Sequence, residues 1–412
     1  MTDAPTTSPD TRSDTPLDFP FEPPSALGAP QQWAQLRSGC PVAHVRAANG
    51  AEGVALTRYA DVKAMLADPR FERGSMTGDP AGAGGDDTLL AAGSDMFAGG
   101  ERHLHWRRIL GRTFTVKRVR ALQPGIERTT HELIDAMVAT TPAGETANLT
   151  PALGFPLPVF VICDLLGVPA ADRDRFSGWS DRILNVSLYS RDEMLGAGME
   201  LYAYIEGHVR DRRENPGDDL LTALVQGADS PEGEMTEFEL VMTGMALLIA
   251  GHETTANMIG KMVSMLLADR SRWEALVADP SLVRTAVEES LRFDANLGFA
   301  LSRQVDEPID VAGTPVPADT IVWSVMASAN RDEQVFERAD EMVLDRSPNP
   351  HISFGVGAHS CLGQTLARVE LQTVLSVLLE RLPTLALAVP ADELRRREGL
   401  LVGGLESVPV RW

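Results

Sequence analysis

The sequence predicts a mainly α protein with a smaller β region, on three observations. Apolar residues recur at helical spacing through most of the stretch from Glu101 to Leu291. Within it, Thr236-Glu-Phe-Glu239 has the form of a capping box, and the periodicity behind it runs to about Ala268, a helix about 48 Å long at ~1.5 Å per residue. From Val305 to Ala327 the pattern changes: β-branched residues alternate with Gly and Pro turns, the mark of short hairpins.

In chain order, Met1 to Asp18 is rich in Thr, Ser, Pro and Asp and reads as a frayed tail without the basic and apolar segments of a secretion signal. Gly53–Leu56 has strand character and Tyr59–Ala67 helical character. Thr146 to Cys163 is the longest uncharged apolar stretch, and Pro151, Pro156 and Pro158 break it too often for a membrane-spanning helix. A last long helix is expected from Leu362 to about Arg381, with strands from there to Trp412. No repeat or low-complexity linker divides the body, so residues 19–412 read as one domain.

Composition narrows the function. The 412 residues are 44% hydrophobic and 23% charged, ordinary for a soluble globular chain. With 37 Lys and Arg against 58 Asp and Glu, the net charge is −21. Such a surface repels phosphate backbones, which makes nucleic acid a poor candidate for a bulk partner, and none is expected. A soluble, cytoplasmic monomer is expected. Cys40, Cys163 and Cys361 lie far apart with no CxxC pair, which excludes a zinc ribbon and a disulfide framework.

Four constellations carry chemistry. The first is Phe354-Gly-Val-Gly-Ala-His-Ser-Cys361-Leu-Gly363. Its glycines allow positive φ and close backbone approach. The cysteine opens the following helix, where the dipole and unpaired N–H groups favour thiolate. Alone, Cys361 reads as a buried structural cysteine; the Phe, Gly and His at fixed offsets turn the reading toward a metal ligand. Ser360 at the third glycine position excludes a dinucleotide fingerprint.

The second is Ala250-Gly-His-Glu-Thr-Thr255 in the middle of the long helix. Ala256 stands where a zinc protease needs its second His, so that reading fails. Thr254 lies one turn after Ala250 and its hydroxyl can take the Ala250 carbonyl, leaving a small polar notch. Glu253 beside Thr254 suits proton relay, and a kinked core helix with a satisfied Thr reads equally well. The third, Glu289-Ser-Leu-Arg292, is a common i,i+3 pair with little meaning alone. The fourth spans Glu101 to Arg120, where Arg102, Arg107, Arg108, Arg112, Lys117, Arg118 and Arg120 face a single acid. It reads as a solvated helix face or as a docking surface for an acidic partner.

In this order and spacing the four features resemble the cytochrome P-450 family of haem-thiolate monooxygenases, of the bacterial and actinobacterial type, from about Phe19 to Trp412. The resemblance implies a helical prism with haem b (iron protoporphyrin IX) between the long central helix and the Cys361 loop. Cys361 becomes the iron ligand, with Phe354, Gly355, Gly357 and Gly363 shaping its loop. His103, Arg107, Arg303 and His359 would bind the haem propionates, since two carboxylates on a buried cofactor require cationic or N–H partners. Glu289, Arg292 and Arg346 would form a buried structural cluster. Glu253 and Thr254 become the catalytic acid–alcohol pair, beside the groove at Ala250 and Gly251.

The departures from the pattern are Met342-Val343 ahead of Arg346, Glu333 after Asn330-Arg-Asp332, and a Phe293-Asp-Ala-Asn-Leu297 segment without Pro. The implied activity is insertion of one atom of O₂ into a C–H or C=C bond of a sizeable apolar molecule: polyketide, macrolide, terpenoid or other secondary metabolite. Electrons would come from a separate ferredoxin and its reductase, docking on Arg108, Arg112, Lys117 and Arg118. The pocket is expected from about Ser75–Phe97, Phe176–Leu201, Val241–Leu248, Leu297–Leu301 and Leu400–Val402. Two rivals are a haem-binding sensor without turnover and a haem-free helical scaffold.

Overall fold

The structure is a computed structural model describing residues 15–47, 50–72, 96–97, 99–184, 189–230, 235–294, 301–397 and 403–412. Most of the expected tail, the expected pocket segments at 75–95, 185–188, 297–300 and 400–402, and residues 295–297 of the Pro-free segment lie outside the described residues.

The chain opens with β1 (Leu17–Phe19), α1 (Gln31–Gly39), β2 (Val42–Ala47), β3 (Glu52–Leu56), α2 (Tyr59–Ala67) and β4 (Phe71–Glu72). A helical body follows: α3 (Gly100–Thr113), α4 (Val116–Thr140), α5 (Pro156–Leu166), α6 (Arg173–Leu184) and α7 (Arg191–Glu214), with β5 (Ala147–Asn148) after α4. It continues through α8 (Leu220–Ala228), α9 (Glu237–Leu267), α10 (Arg270–Ala278) and α11 (Val283–Phe293). Next come β6 (Leu301–Val305), β7 (Ile309–Val311), β8 (Thr314–Val316), β9 (Thr320–Ser324), the one-turn α12 (Met326–Ala329) and α13 (Gln364–Arg381). Strands β10 (Ala386–Leu387), β11 (Arg396–Arg397), β12 (Gly404–Leu405) and β13 (Pro409–Arg411) end the chain. The architecture is mainly α with a smaller β region, and the hairpin expected between Val305 and Ala327 is β7–β8.

The larger sheet has the order β1-β2-β3-β9-β6-β4. Its first strand corrects the tail boundary, because Leu17 and Asp18 already pair with Val45 and Arg46. The cause is apolar: Phe19 is buried against Phe21 and Trp323, ring centroids 5.5 and 5.6 Å away, and so draws the residues before it into the sheet.

Helix α9 runs through the main core. Its capping box is complete: the Glu239 N–H donates to Thr236 Oγ1 at 3.2 Å, and Glu239 Oε2 accepts the Thr236 N–H at 2.8 Å. Val241, Met245, Leu248, Ile259, Met262, Val263 and Leu266 are all buried, as expected of a helix apolar on nearly every side. Helices α5, α7 and α13 pack against it. The buried cation Lys261 is compensated by Asp294 at 2.9 Å, at the end of α11.

The basic stretch Glu101–Arg120 is not one helix. Chain direction changes at Phe114–Thr115, where Thr115 Oγ1 accepts the Arg118 N–H at 3.3 Å and starts α4. No helix among the described residues is long and apolar enough to cross a membrane.

Candidate active site

The Cys361 loop is built by backbone geometry. Gly355 and Gly357 adopt φ of 67° and 75°, which side chains other than glycine rarely tolerate. A Cβ on Gly357 would also sit 2.7 Å from the Leu66 carbonyl oxygen at the end of α2. The loop closes when the Cys361 N–H donates to the Phe354 carbonyl at 2.7 Å. Gly363 is different: its φ is −80° and open space surrounds its Cβ position, so the backbone does not demand glycine there.

Two expectations at the cysteine need correction. The helix starts at Gln364, with Gly363 as its capping residue, so Cys361 precedes α13 rather than opening it. The thiol is not lowered overall. Cys361 keeps an exposed surface, yet the protein packed around its sulfur pushes the pKa up by desolvation. The backbone N–H groups of Gly363 and Gln364 and the charges of Arg107 and Arg368 act in the opposite direction. These four groups favour anionic sulfur once something else supplies the remaining stabilisation.

The notch on α9 lies at one turn of a buried helix. Ala250 is exposed and Thr254 half-buried, while the Thr254 hydroxyl donates to the Ala250 carbonyl at 2.8 Å. A Cβ on Gly251 would meet Ile162 Cδ1 at 3.0 Å, so glycine lets α5 approach. Glu253 is buried, and desolvation raises its pKa; the neighbouring Asp181 charge adds to this, while an Asn257 Nδ2 bond at 3.1 Å and the Arg397 charge oppose it. His252 points elsewhere, its Nδ1 2.8 Å from Ser180 Oγ and its ring edge-on to Phe155.

Three of the four expected propionate partners gather beside the loop. The His103 and His359 rings stack with centroids 4.2 Å apart, and Arg107 Nη2 donates to Ser360 Oγ at 3.4 Å. Both His103 nitrogens face carbonyl oxygens, Nδ1 at 3.1 Å from Met96 and Nε2 at 3.3 Å from Ala358. Arg303 comes from the sheet, buried on β6. Glu289 and Arg292 are wholly buried, joined at 2.7 and 2.8 Å, and Arg346 Nε adds bonds of 3.1 and 3.0 Å to Glu289. The Met342-Val343 departure is harmless to this cluster because Glu289 takes the Val343 backbone N–H, at 2.7 Å.

Among the described residues no three His, Cys, Asp or Glu side chains converge as a metal site. A metal at Cys361 must therefore bring most of its ligands with it, as an iron porphyrin does, and cations beside the loop suit that cofactor's carboxylates. The residues fit the group.

Comparisons with known proteins agree. The family model described as Cytochrome P450 matches residues 270–392. The mycinamicin IV hydroxylase/epoxidase of Micromonospora griseorubida is 38% identical over 402 residues, 97% of this chain and 100% of that protein. Pentalenic acid synthase of Streptomyces avermitilis is 38% identical, covering 98% of this chain and 100% of its own. Nocardicin C N-oxygenase of Nocardia uniformis is 39% identical, covering 98% and 99%. Among solved structures, the putative thioether synthase SgvP superposes with a TM-score of 0.88 at 35% identity, covering 97% of this chain and 100% of its own.

The chain belongs to the cytochrome P-450 family.

It is a P-450 monooxygenase, and a haem-thiolate cofactor follows from the family. Several residues of this P-450 go unmarked by the sequence motifs. Asn257 and Arg397 bear on Glu253, and Arg397 also pairs with Asp181 at 2.8 Å. Trp106 Nε1 donates to Thr243 Oγ1 at 2.9 Å and ties α3 to α9. The Arg397 and Trp106 contacts join segments far apart in the chain, of which helical spacing carries no trace, whereas Asn257 lies one turn from Glu253 on the same helix and that spacing could have found it.

Proposed function

We propose that this P-450 oxidises a sizeable apolar secondary metabolite of the polyketide, macrolide or terpenoid kind, using haem b and electrons from a ferredoxin. The observation that carries this reading is an exposed cysteine on a loop closed by its own backbone, in a chain whose buried central helix carries the polar Ala250–Thr254 notch. The relatives named for mycinamicin IV and pentalenic acid support the substrate class.

Cys361 would hold the iron, with His103, Arg107, Arg303 and His359 available to the propionates. When bound, haem supplies oxygen activation: one atom of O₂ enters a substrate C–H or C=C bond, and the other leaves as water with two electrons and two protons. The protein's own part is proton handling. Burial favours the protonated form of the Glu253 carboxyl, which makes it a donor nearer neutral pH than an exposed carboxyl. Thr254 gives its hydroxyl proton to the Ala250 carbonyl, so its oxygen acts as an acceptor at the notch and can pass a proton on from there. The apolar residues Val241, Met245 and Leu248 exclude water along the same helix.

One spectrum tests the assignment. The reduced, carbon monoxide-bound protein should show the red-shifted Soret band of thiolate-ligated haem, and Cys361→Ala should lose it; a band retained in the variant rejects the ligand. Thr254→Ala should consume electrons at a similar rate while product per electron pair falls severalfold. Unchanged coupling removes Thr254 from proton delivery.

A further inference from the structure

The carboxylate next to the buried Glu289 does something different. Glu288 leaves the Arg292 cluster and reaches α13, where its Oε1 accepts from Arg368 Nε at 2.7 Å and its Oε2 from Arg368 Nη2 at 3.1 Å. The same Oε2 is 2.9 Å from His351 Nε2. The Ser353 backbone N–H donates to His351 Nδ1 at 3.3 Å, so the ring proton belongs on Nε2 and is given to Glu288. The Glu288 carboxylate is thus held from two sides, by the imidazole and by the guanidinium. Desolvation would raise the Glu288 carboxyl, but the bonds from His351 and Arg368 overcome it and hold the pKa at about 2. The Glu288 carboxyl stays ionised across the working pH range.

Arg368 is thereby fixed against the cysteine loop. Its guanidinium lies 4.5 Å from the centre of the Phe354 ring, and Phe354 supplies the carbonyl that takes the Cys361 N–H. Its charge is thus held against the loop that carries Cys361.

We propose that Arg368 is a positioning residue for the cysteine ligand: clamped by Glu288 and His351, it seats Phe354 and holds a positive charge beside the cysteine loop. The inference rests on Cys361 being the iron ligand. A fixed cation near a thiolate-ligated iron favours the state with one more electron, by Coulomb attraction through protein of modest dielectric. Removing that charge shifts the ferric–ferrous equilibrium toward ferric.

The test measures the haem midpoint potential of the holoenzyme. Arg368→Gln should move the equilibrium about tenfold toward ferric, about 59 mV lower for a one-electron couple. Arg368→Lys retains the charge and should recover most of that shift. Glu288→Gln deletes the balancing negative charge and should raise the potential, while its thiolate Soret band decays faster on warming because Arg368 is no longer held.

A wild-type potential in Arg368→Gln overturns the inference, even if reduction by ferredoxin slows, for Arg368 would then be only a docking residue. Should Arg368→Gln fail to take up haem, an unchanged potential in Glu288→Gln overturns it equally, and a rise there supports it. Cys361→Ala separates the two readings. If the thiolate band survives there, the ligand assignment fails; if it is lost while the Arg368 and Glu288 potentials stay fixed, only the present inference fails.

Discussion

Glu370 and His252 place two titratable groups deep in the molecule with opposite consequences. Glu370, on α13, is 1% exposed, and its Oε2 meets no hydrogen-bond partner among the described residues. Desolvation raises its pKa well above the ordinary 4.5. The folded chain therefore keeps a proton that the unfolded chain releases. The associated stability is fully present below the ordinary pKa and is lost as pH rises toward the folded value, by roughly 1.4 kcal/mol per pH unit. Glu370→Gln should melt at a higher temperature than the parent at pH 8 and show no such gain near pH 4.5; parallel melting curves at the two pH values settle it. His252 has the reverse sign. Desolvation pushes it down to about 3, so the unfolded chain takes up a proton below the ordinary 6.5 that the folded chain refuses. Its contribution is lost as pH falls from there, and Thr254 and Glu253 sit beside a residue that stays neutral throughout.

Among elements, the Cys361 loop depends on α2 as much as on its own glycines. Gly357→Ala forces a Cβ against the Leu66 carbonyl at a φ that L residues rarely adopt, a strain of about 1–3 kcal/mol. We expect this variant to fold and to retain haem poorly, seen as a lowered ratio of Soret to protein absorbance. Gly363→Ala meets no atom within 4 Å and should retain haem like the parent. The two glycines look alike in sequence, so comparable losses in both would show that the loop is held by something other than backbone shape.

For the whole molecule, the question is how an acidic protein offers a positive face. The chain carries −21, yet Arg108 and Arg112 are exposed on α3 and Lys117 is exposed at the start of α4, with Arg118 half-buried beside it. Arg102 is engaged elsewhere, paired with Glu239 at 2.9 Å, and Arg107 turns inward to Ser360. The docking face we propose is thus narrower than the basic stretch as a whole and is split over two helices. Charge reversal at Arg108 and Arg112 should slow reduction by an acidic ferredoxin about tenfold at low ionic strength and flatten its salt dependence. Stopped-flow reduction across a salt series measures both; an unaltered salt slope places the partner on another face.

Local pattern determined a good deal by itself. The capping box, the 31-residue α9, the Tyr59–Ala67 helix and the β7–β8 hairpin follow from spacing and turn chemistry, because the groups that make them are neighbours in the chain. The Cys361 motif was legible for the same reason: a tight loop needs its glycines at fixed offsets. What tertiary structure decided concerns groups that meet only after folding. The direction of the Cys361 pKa, the ordering of Leu17 by Phe19, and the grip of Glu288 and His351 on Arg368 depend on burial and on partners tens to hundreds of residues away. Desolvation and ion pairing are set by surroundings in space, and a linear sequence records only surroundings along the chain.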